Sequence, residues 1–308
     1  MQFSGMVLSG GFTYTRPPLS AKAIFGYGST NGNANGGVST VNLVSNTGVV
    51  ANNTTGVGTA RYGLAAAGYG TDKAIFGYGA NTSGTRLSTT NLVSNTGVVA
   101  TDTAGVGNAR YTLAAAGYGT DKAIFGYGYD GSNTAITNKV SNTGVVANNT
   151  TGVGTARSGP AAAGYGTDKA IFGYGSTSGD DSGVVSITNL VSNTGVVASN
   201  TTGVGTARWL LAATGYGSDK AIFGYGVQGS MTNLVSNTGV VATDTTGVGT
   251  GRYGLAAAGY GVSTAIFGYG YGPTAITNLV SNTGVVANDT AGVGTARGDL
   301  AAASYGLA

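Results

Sequence analysis

The hexapeptide Ala-Ile-Phe-Gly-Tyr-Gly occurs six times in this chain, at 23–28, 74–79, 123–128, 170–175, 221–226 and 265–270. Each copy lies inside a longer, nearly identical unit, so one supersecondary element repeated six times must build most of the molecule. Successive phenylalanines Phe25, Phe76, Phe125, Phe172, Phe223 and Phe267 stand 51, 49, 47, 51 and 44 residues apart. Four-stranded blades of β-propellers repeat at roughly 40 to 50 residues.

One unit, 61–109, predicts four strands. Leu-Ala-Ala-Ala-Gly-Tyr and Lys-Ala-Ile-Phe-Gly-Tyr are joined by a short turn at Asp72, and Asn-Leu-Val-Ser and Gly-Val-Val-Ala by a turn at Asn95 to Gly97. Ala65, Ala66, Ala67 and Gly68 are small enough for an innermost strand, where six sheets converge. Ile75 and Phe76 must point to opposite faces because side chains alternate along a strand, so both faces are expected to be buried.

The two ends of the chain divide one unit between them. Thirteen positions separate Arg61 from Ala74, but only seven separate Arg16 from Ala23, which leaves no room for an alanine-rich strand in the first unit. The chain ends, after Arg297, with Gly-Asp-Leu-Ala-Ala-Ala-Ser-Tyr-Gly, an alanine-rich strand with no second strand following. The expected architecture is therefore all-β: a six-bladed propeller of four-stranded antiparallel blades over 21–308, closed by pairing the C-terminal strand with the N-terminal blade. Closure of this kind removes open sheet edges. Residues 1–20 are expected to form a separate N-terminal arm serving anchorage or assembly.

Composition excludes much chemistry. The chain has no Cys and no His, and no Glu occurs in it. Disulfides, thiolate or imidazole metal ligands, and nucleophiles activated by histidine are thereby ruled out. Glycine is abundant, 58 of 308 residues, but periodic, unlike that of a low-complexity chain. Only 8% of residues are charged, and the net charge of +3 is spread thinly, without the clustered cations that a polyanion footprint needs. No nucleic-acid partner is expected. The N-terminus lacks the basic and apolar regions of a secretory signal, and no stretch approaches the ~20 apolar residues of a membrane span, so membrane insertion is not expected either.

The order Arg, small apolar strand, turn, apolar strand ending in glycines, variable loop, then Asn-Leu-Val-Ser-Asn-Thr-Gly-Val-Val resembles a kelch repeat across 21–308. Gly77-Tyr78-Gly79 replaces that family's glycine doublet, and Val98 or Val99 stands where kelch units place a tryptophan. Some kelch-like propellers are copper oxidases, but a chain without His and Cys supplies no such centre, so the resemblance carries over no catalytic residue. More weakly, the Gly/Ser-rich start followed by Pro17-Pro18, together with the near-identical glycine-rich repeats, resembles virion proteins and adhesins of tailed, often marine, bacteriophages.

Six arginines, Arg61, Arg110, Arg157, Arg208, Arg252 and Arg297, are expected to form a ring with one per blade. Such a ring either binds an anion or ties neighbouring blades together through carbonyls, the reading favoured by the rule that polar groups in a packed junction need partners. Asn53, Asp102, Asn149, Asn200, Asp244 and Asp289 occupy one aligned position and are expected to close their own turns. Asp130 and the pair Asp180 and Asp181 are the candidate positions for carboxylates converging on calcium, against the plainer reading of solvated loops. No metal or other cofactor is expected. The Gly-x-Gly strings lack the Lys and the following helix of a phosphate loop and are read as turns.

The variable stretches, 29–40, 80–89, 129–136, 176–187, 227–230 and 271–276, are expected on one rim. Tyr62, Tyr111, Trp209 and Tyr253 follow the arginines, and Tyr129 and Tyr271 open variable loops. Aromatic surface among Asn, Ser, Thr and Gly suits contact with carbohydrate or protein, although such side chains also pack over a blade edge. The expected function is non-enzymatic: a structural or attachment protein of a virion or cell surface, held to other surface proteins by its arm and displaying variable loops to a host glycan or protein. The alternative is a free-standing, lectin-like binding propeller, extracellular or at a cell surface. An Asp-dependent hydrolase is a third reading, with no carboxylate pairing legible to support it.

Overall fold

The computed structural model describes residues 21–272 and 274–306; the expected arm, 1–20, lies outside them. The fold is all-β. Six three-stranded antiparallel sheets repeat along the chain, and a small two-stranded ribbon pairs Arg61–Tyr62 with Ala80–Asn81. In each sheet the Ala-Ile-Phe-Gly strand is central. In the second sheet Lys73–Gly77 lies between Ala65–Tyr69 and Thr90–Val93, with Phe76 opposite Ala66 on one side and Asn91 on the other.

The first sheet draws on both ends of the chain. Lys22–Gly26 pairs with Val41–Val44 on one side and with Ala301–Tyr305 on the other, in the register used elsewhere: Phe25 faces Ala302 as Phe76 faces Ala66. The alanine-rich strands also neighbour one another from sheet to sheet. Ala65–Tyr69 lies beside Ala114–Tyr118, then follow Ala161–Tyr165, Ala212–Tyr216, Ala256–Tyr260 and Ala301–Tyr305, which lies beside Ala65–Tyr69 again.

The expected fourth strand is reduced to isolated bridges, Val44 with Val50 and Val41 with Thr54 in the first unit, and their equivalents in the others. A side chain interrupts the ladder. Asn42 Nδ2 takes the Ala51 carbonyl at 3.0 Å and the Asn53 side chain at 3.0 Å, a pattern repeated by Asn91, Asn138, Asn189, Asn233 and Asn278. The sheets are therefore three-stranded with a tethered outer segment.

Packing between sheets explains the hexapeptide. Ile75 and Phe76 are fully buried on opposite faces of their sheet, and burial of such a side chain contributes about 1.5 to 3 kcal/mol. Phe125 of the third sheet lies over Gly77 of the second, so close that a Cβ at Gly77 would meet the ring at 2.7 Å. The same contact joins Phe76 to Gly26, Phe172 to Gly126, Phe223 to Gly173, Phe267 to Gly224 and Phe25 to Gly268. Glycine is required there by close approach. The next residue, Tyr78, has a positive φ of 65°, which turns its ring edge-on to Phe125 at 5.1 Å and its hydroxyl onto the Val106 carbonyl at 3.1 Å. A left-handed aromatic residue is costly, and these contacts hold it in place.

Candidate functional site

The six arginines lie between sheets. Each is at most 3% exposed. Arg157 donates from Nε to the Tyr174 carbonyl at 2.6 Å, from Nη1 to the Thr155 carbonyl at 3.0 Å and from Nη2 to Asn189 Oδ1 at 2.8 Å, while its guanidinium lies 4.0 Å from the Tyr127 ring centroid of the preceding sheet. Arg208, Arg252 and Arg297 repeat these contacts. Arg110 keeps the Tyr127 carbonyl and stacks on Tyr78, and Arg61 stacks on Tyr27 and donates to Asn91. In Arg157, Arg208, Arg252 and Arg297 these groups are spent on carbonyls, amides and π faces, whereas Arg61 Nε and Nη1 and Arg110 Nη2 are buried without a hydrogen-bond partner. Burial lowers the pKa of every one of them and raises that of the tyrosines beneath, with Tyr27 and Tyr174 pushed up to about 12.

The aligned Asx residues do not close their own turns. They reach into the segment that arrives from the preceding sheet and leads into their own. Asp102 accepts from Thr59 N at 3.0 Å and Thr59 Oγ1 at 2.6 Å, and Asp244 and Asp289 do the same with Thr206 and Thr250. Asn200 pairs with Thr155, Asn149 with Asn108, and Asn53 with Thr295 near the other end of the chain. Burial works to raise the Asp102 carboxyl, but hydrogen bonds from Thr59 and Asn91 and the charge of Arg61, 3.7 Å away, hold it below the usual range. Asn and Asp exchange freely here because either side-chain oxygen serves.

Asp130, Asp180 and Asp181 are engaged separately. Asp130 accepts from Asn108 Nδ2 at 3.1 Å. Asp180 caps a short 3-10 turn, Asp181–Gly183, accepting from Ser178 Oγ, Ser182 Oγ and Ser182 N; these bonds hold its pKa at about 2. Asp181 accepts from Trp209 Nε1 at 2.7 Å. Among the described residues no three acidic side chains gather into a metal-sized cluster.

The tyrosine candidates meet one another, while Trp209 stands apart on Asp181. The residue after five of the six arginines pairs with the residue that opens the variable loop of the same unit: Tyr62 with Ala80, Tyr111 with Tyr129, Ser158 with Ser176, Tyr253 with Tyr271 and, between the two chain ends, Gly298 with Ser29. The ring centroids of Tyr62 and Tyr111 are 6.2 Å apart and those of Tyr111 and Tyr129 5.8 Å apart, with the guanidinium of Arg86 5.7 Å from the Tyr129 ring. Tyr253, 39% exposed, leans on the buried Tyr271 at 5.5 Å. Loops also touch across units, where Asn133 Nδ2 donates to the Ser176 and Thr177 carbonyls.

Beneath these aromatics runs a feature invisible in single units. Gly63, Thr112, Gly159, Leu210, Gly254 and Asp299, each two residues after an arginine, all have φ between 49° and 62°. Thr112 N donates to Gly63 O, Gly159 to Thr112, Leu210 to Gly159, Gly254 to Leu210, Asp299 to Gly254, and Gly63 to Asp299, at 2.7 to 2.9 Å. The sixth bond returns to the first residue. Asp299 brings the one carboxylate to this circle, half-buried, with Tyr271 OH donating to it at 3.2 Å, and burial raises its pKa to about 6. Aligning the six copies on their arginines would have exposed Asp299 as the odd residue among Gly, Thr, Gly, Leu and Gly.

The opposite end is more uniform. A cavity of about 350 Å³ is bordered there by Gly68, Tyr69, Lys73 and their counterparts, including Lys122, Lys169 and Lys220. Each of these lysines pairs with the aspartate before it, at 2.7 to 3.4 Å. No protein-family model matches the chain, and no curated protein matches it.

Proposed function

We propose that the six sheets form a closed six-bladed propeller of kelch-like architecture, and that the molecule is a non-enzymatic attachment protein that recognises a surface carbohydrate or protein through the end carrying its variable loops. Closure is supported by the pairing of Lys22–Gly26 with Ala301–Tyr305 and by the circle of six main-chain hydrogen bonds. The observation that carries the functional reading is the continuous row of Tyr62, Tyr111 and Tyr129 with Arg86, flanked by Asn, Ser and Thr. Flat apolar rings beside neutral hydrogen-bonding groups suit the alternating C–H and hydroxyl faces of sugars and the adaptable contacts of protein recognition.

The test is a glycan array and whole-cell binding assay with the wild type, with Tyr111→Ala and Trp209→Ala, and with loop 176–187 replaced by 227–230. Attachment predicts loss of binding in at least one variant whose thermal melt is unchanged. Unaltered binding in all three would sink the reading.

A second reading, a decoration component of a virion or other particle, is favoured by six valines at the other end. Val49, Val98, Val145, Val196, Val240 and Val285, one per unit, are 61 to 66% exposed. Such repeated apolar exposure suits docking onto a partner surface. Mass spectrometry and labelling of particles, with and without residues 1–20, separates the two: a decoration protein loses incorporation without the arm, and a free binding protein keeps its ligand.

A further inference from the structure

We infer that the loop-bearing end holds a site for an organic ammonium group, with Asp299 as its counter-charge and Tyr62 and Tyr111 as its aromatic walls. This deepens the attachment reading and rests on it. Three observations converge. First, Asp299 is half-buried, and among the described residues no Lys or Arg pairs with it. Arg297, two residues earlier, is committed to Tyr27, Thr295 and Asn42. Second, the backbone of Asp299 is locked by the hydrogen bonds to Gly254 and from Gly63, and its carboxylate is oriented by the Tyr271 hydroxyl, so the charge has a set position.

Third, the titratable groups facing it are tyrosines. Burial, the neighbouring Tyr111 and the charge of Asp299 all raise the pKa of Tyr62; burial, Tyr129 and Asp299 raise that of Tyr111, with Arg86 opposing. Tyr271 is raised by burial and by Asp299 in the same way. A neutral sugar would satisfy the hydrogen-bonding capacity of this carboxylate but not its charge. An ammonium group gains from the carboxylate and from the negative faces of Tyr62 and Tyr111 together.

The experiment is calorimetric titration of the full chain with choline, whose charge is independent of pH, with glucosamine, and with N-acetylglucosamine as the neutral control. Both cations should bind, and N-acetylglucosamine should bind at least tenfold more weakly. Choline affinity should fall about tenfold between pH 7.5 and pH 5 as Asp299 takes up a proton. Asp299→Asn should lose that affinity and its pH dependence; Asn tolerates the left-handed backbone, and an unchanged melt confirms the fold. Tyr62→Leu, which keeps apolar bulk without a π face, should weaken choline about threefold or more. Tighter binding of glucosamine assigns an amino sugar, and tighter binding of choline a quaternary headgroup; both support the site.

Equal binding of glucosamine and N-acetylglucosamine overturns the charge recognition while leaving saccharide attachment standing. Choline binding that survives Asp299→Asn, or no binding of either cation, overturns the site. Loss of glycan and cell binding in the wild type would instead remove the attachment reading beneath it.

Discussion

Arg297 Nη2 donates to Asn42 Oδ1 at 2.8 Å, across 255 positions of the chain. Arg157 and Asn189, only 32 positions apart, make the same bond at the same distance. The joint between the two ends of the chain thus reproduces an internal joint, including the arginine over the tyrosine of the preceding sheet, Tyr269 at 4.4 Å. A buried guanidinium with every partner in place is costly to disturb, because each carbonyl or amide it leaves behind is stranded away from water.

Arg297→Met should therefore destabilise the chain by about 3 kcal/mol, because the Tyr27 carbonyl and Asn42 Oδ1 lose a buried donor. Arg86→Met, in an exposed loop, should change stability by no more than about 0.5 kcal/mol. Urea unfolding of both variants decides this, and equal effects would contradict a structural role for the buried arginine.

Removal of residues 300–308 deletes the strand that pairs with Lys22–Gly26 and exposes a hydrogen-bonding edge beside Ile24 and Phe25. The shortened chain should self-associate, seen by light scattering, since an open apolar edge invites pairing with another chain. A monomer with an unchanged cooperative melt would show that the joint is dispensable.

Gly77→Ala places a methyl group against Phe125 Cζ at 2.7 Å and Cε1 at 3.1 Å. Overpacking of this kind costs about 1 to 3 kcal/mol. Phe125→Leu should recover part of the loss in the double variant, a coupling readable from a double-mutant cycle. Strict additivity would mean that the ring does not dictate glycine.

Asp299 fixes the sign of a pH effect. Its pKa rises from 3.8 to about 6 in the folded chain, so the folded state holds the proton more tightly than the unfolded state does. No penalty exists below about pH 4; it grows as pH rises and is complete above about pH 6. Asp299→Asn should thus be more stable than wild type by roughly 3 kcal/mol at pH 7.5, with the difference vanishing near pH 4. Thermal melts across that range test it, and a difference independent of pH would refute the assignment.

The repeat by itself determined the all-β class, the central place of Ala-Ile-Phe-Gly, the burial of both its faces and the meeting of the last strand with the first. These are legible along the chain: alternation from Ala74 to Gly77 can be read in any one copy, and the missing alanine-rich strand before Ala23 by comparing the first copy with the others. The fourth strand was misjudged because Asn42, an ordinary strand residue in sequence, spends its side chain on the Ala51 carbonyl and interrupts the ladder. The aligned Asx residues were misjudged for a related reason, since the partner of Asp102 is Thr59, 43 positions earlier and in the trailing segment of the preceding unit. Asp299 was passed over altogether. In sequence it is one aspartate of eleven, and only the circle from Gly63 to Asp299 sets its carboxylate among Tyr62, Tyr111 and Tyr271. Periodicity records what each unit does for itself, whereas the chemistry of this surface arises between units, where tertiary contact selects the neighbours.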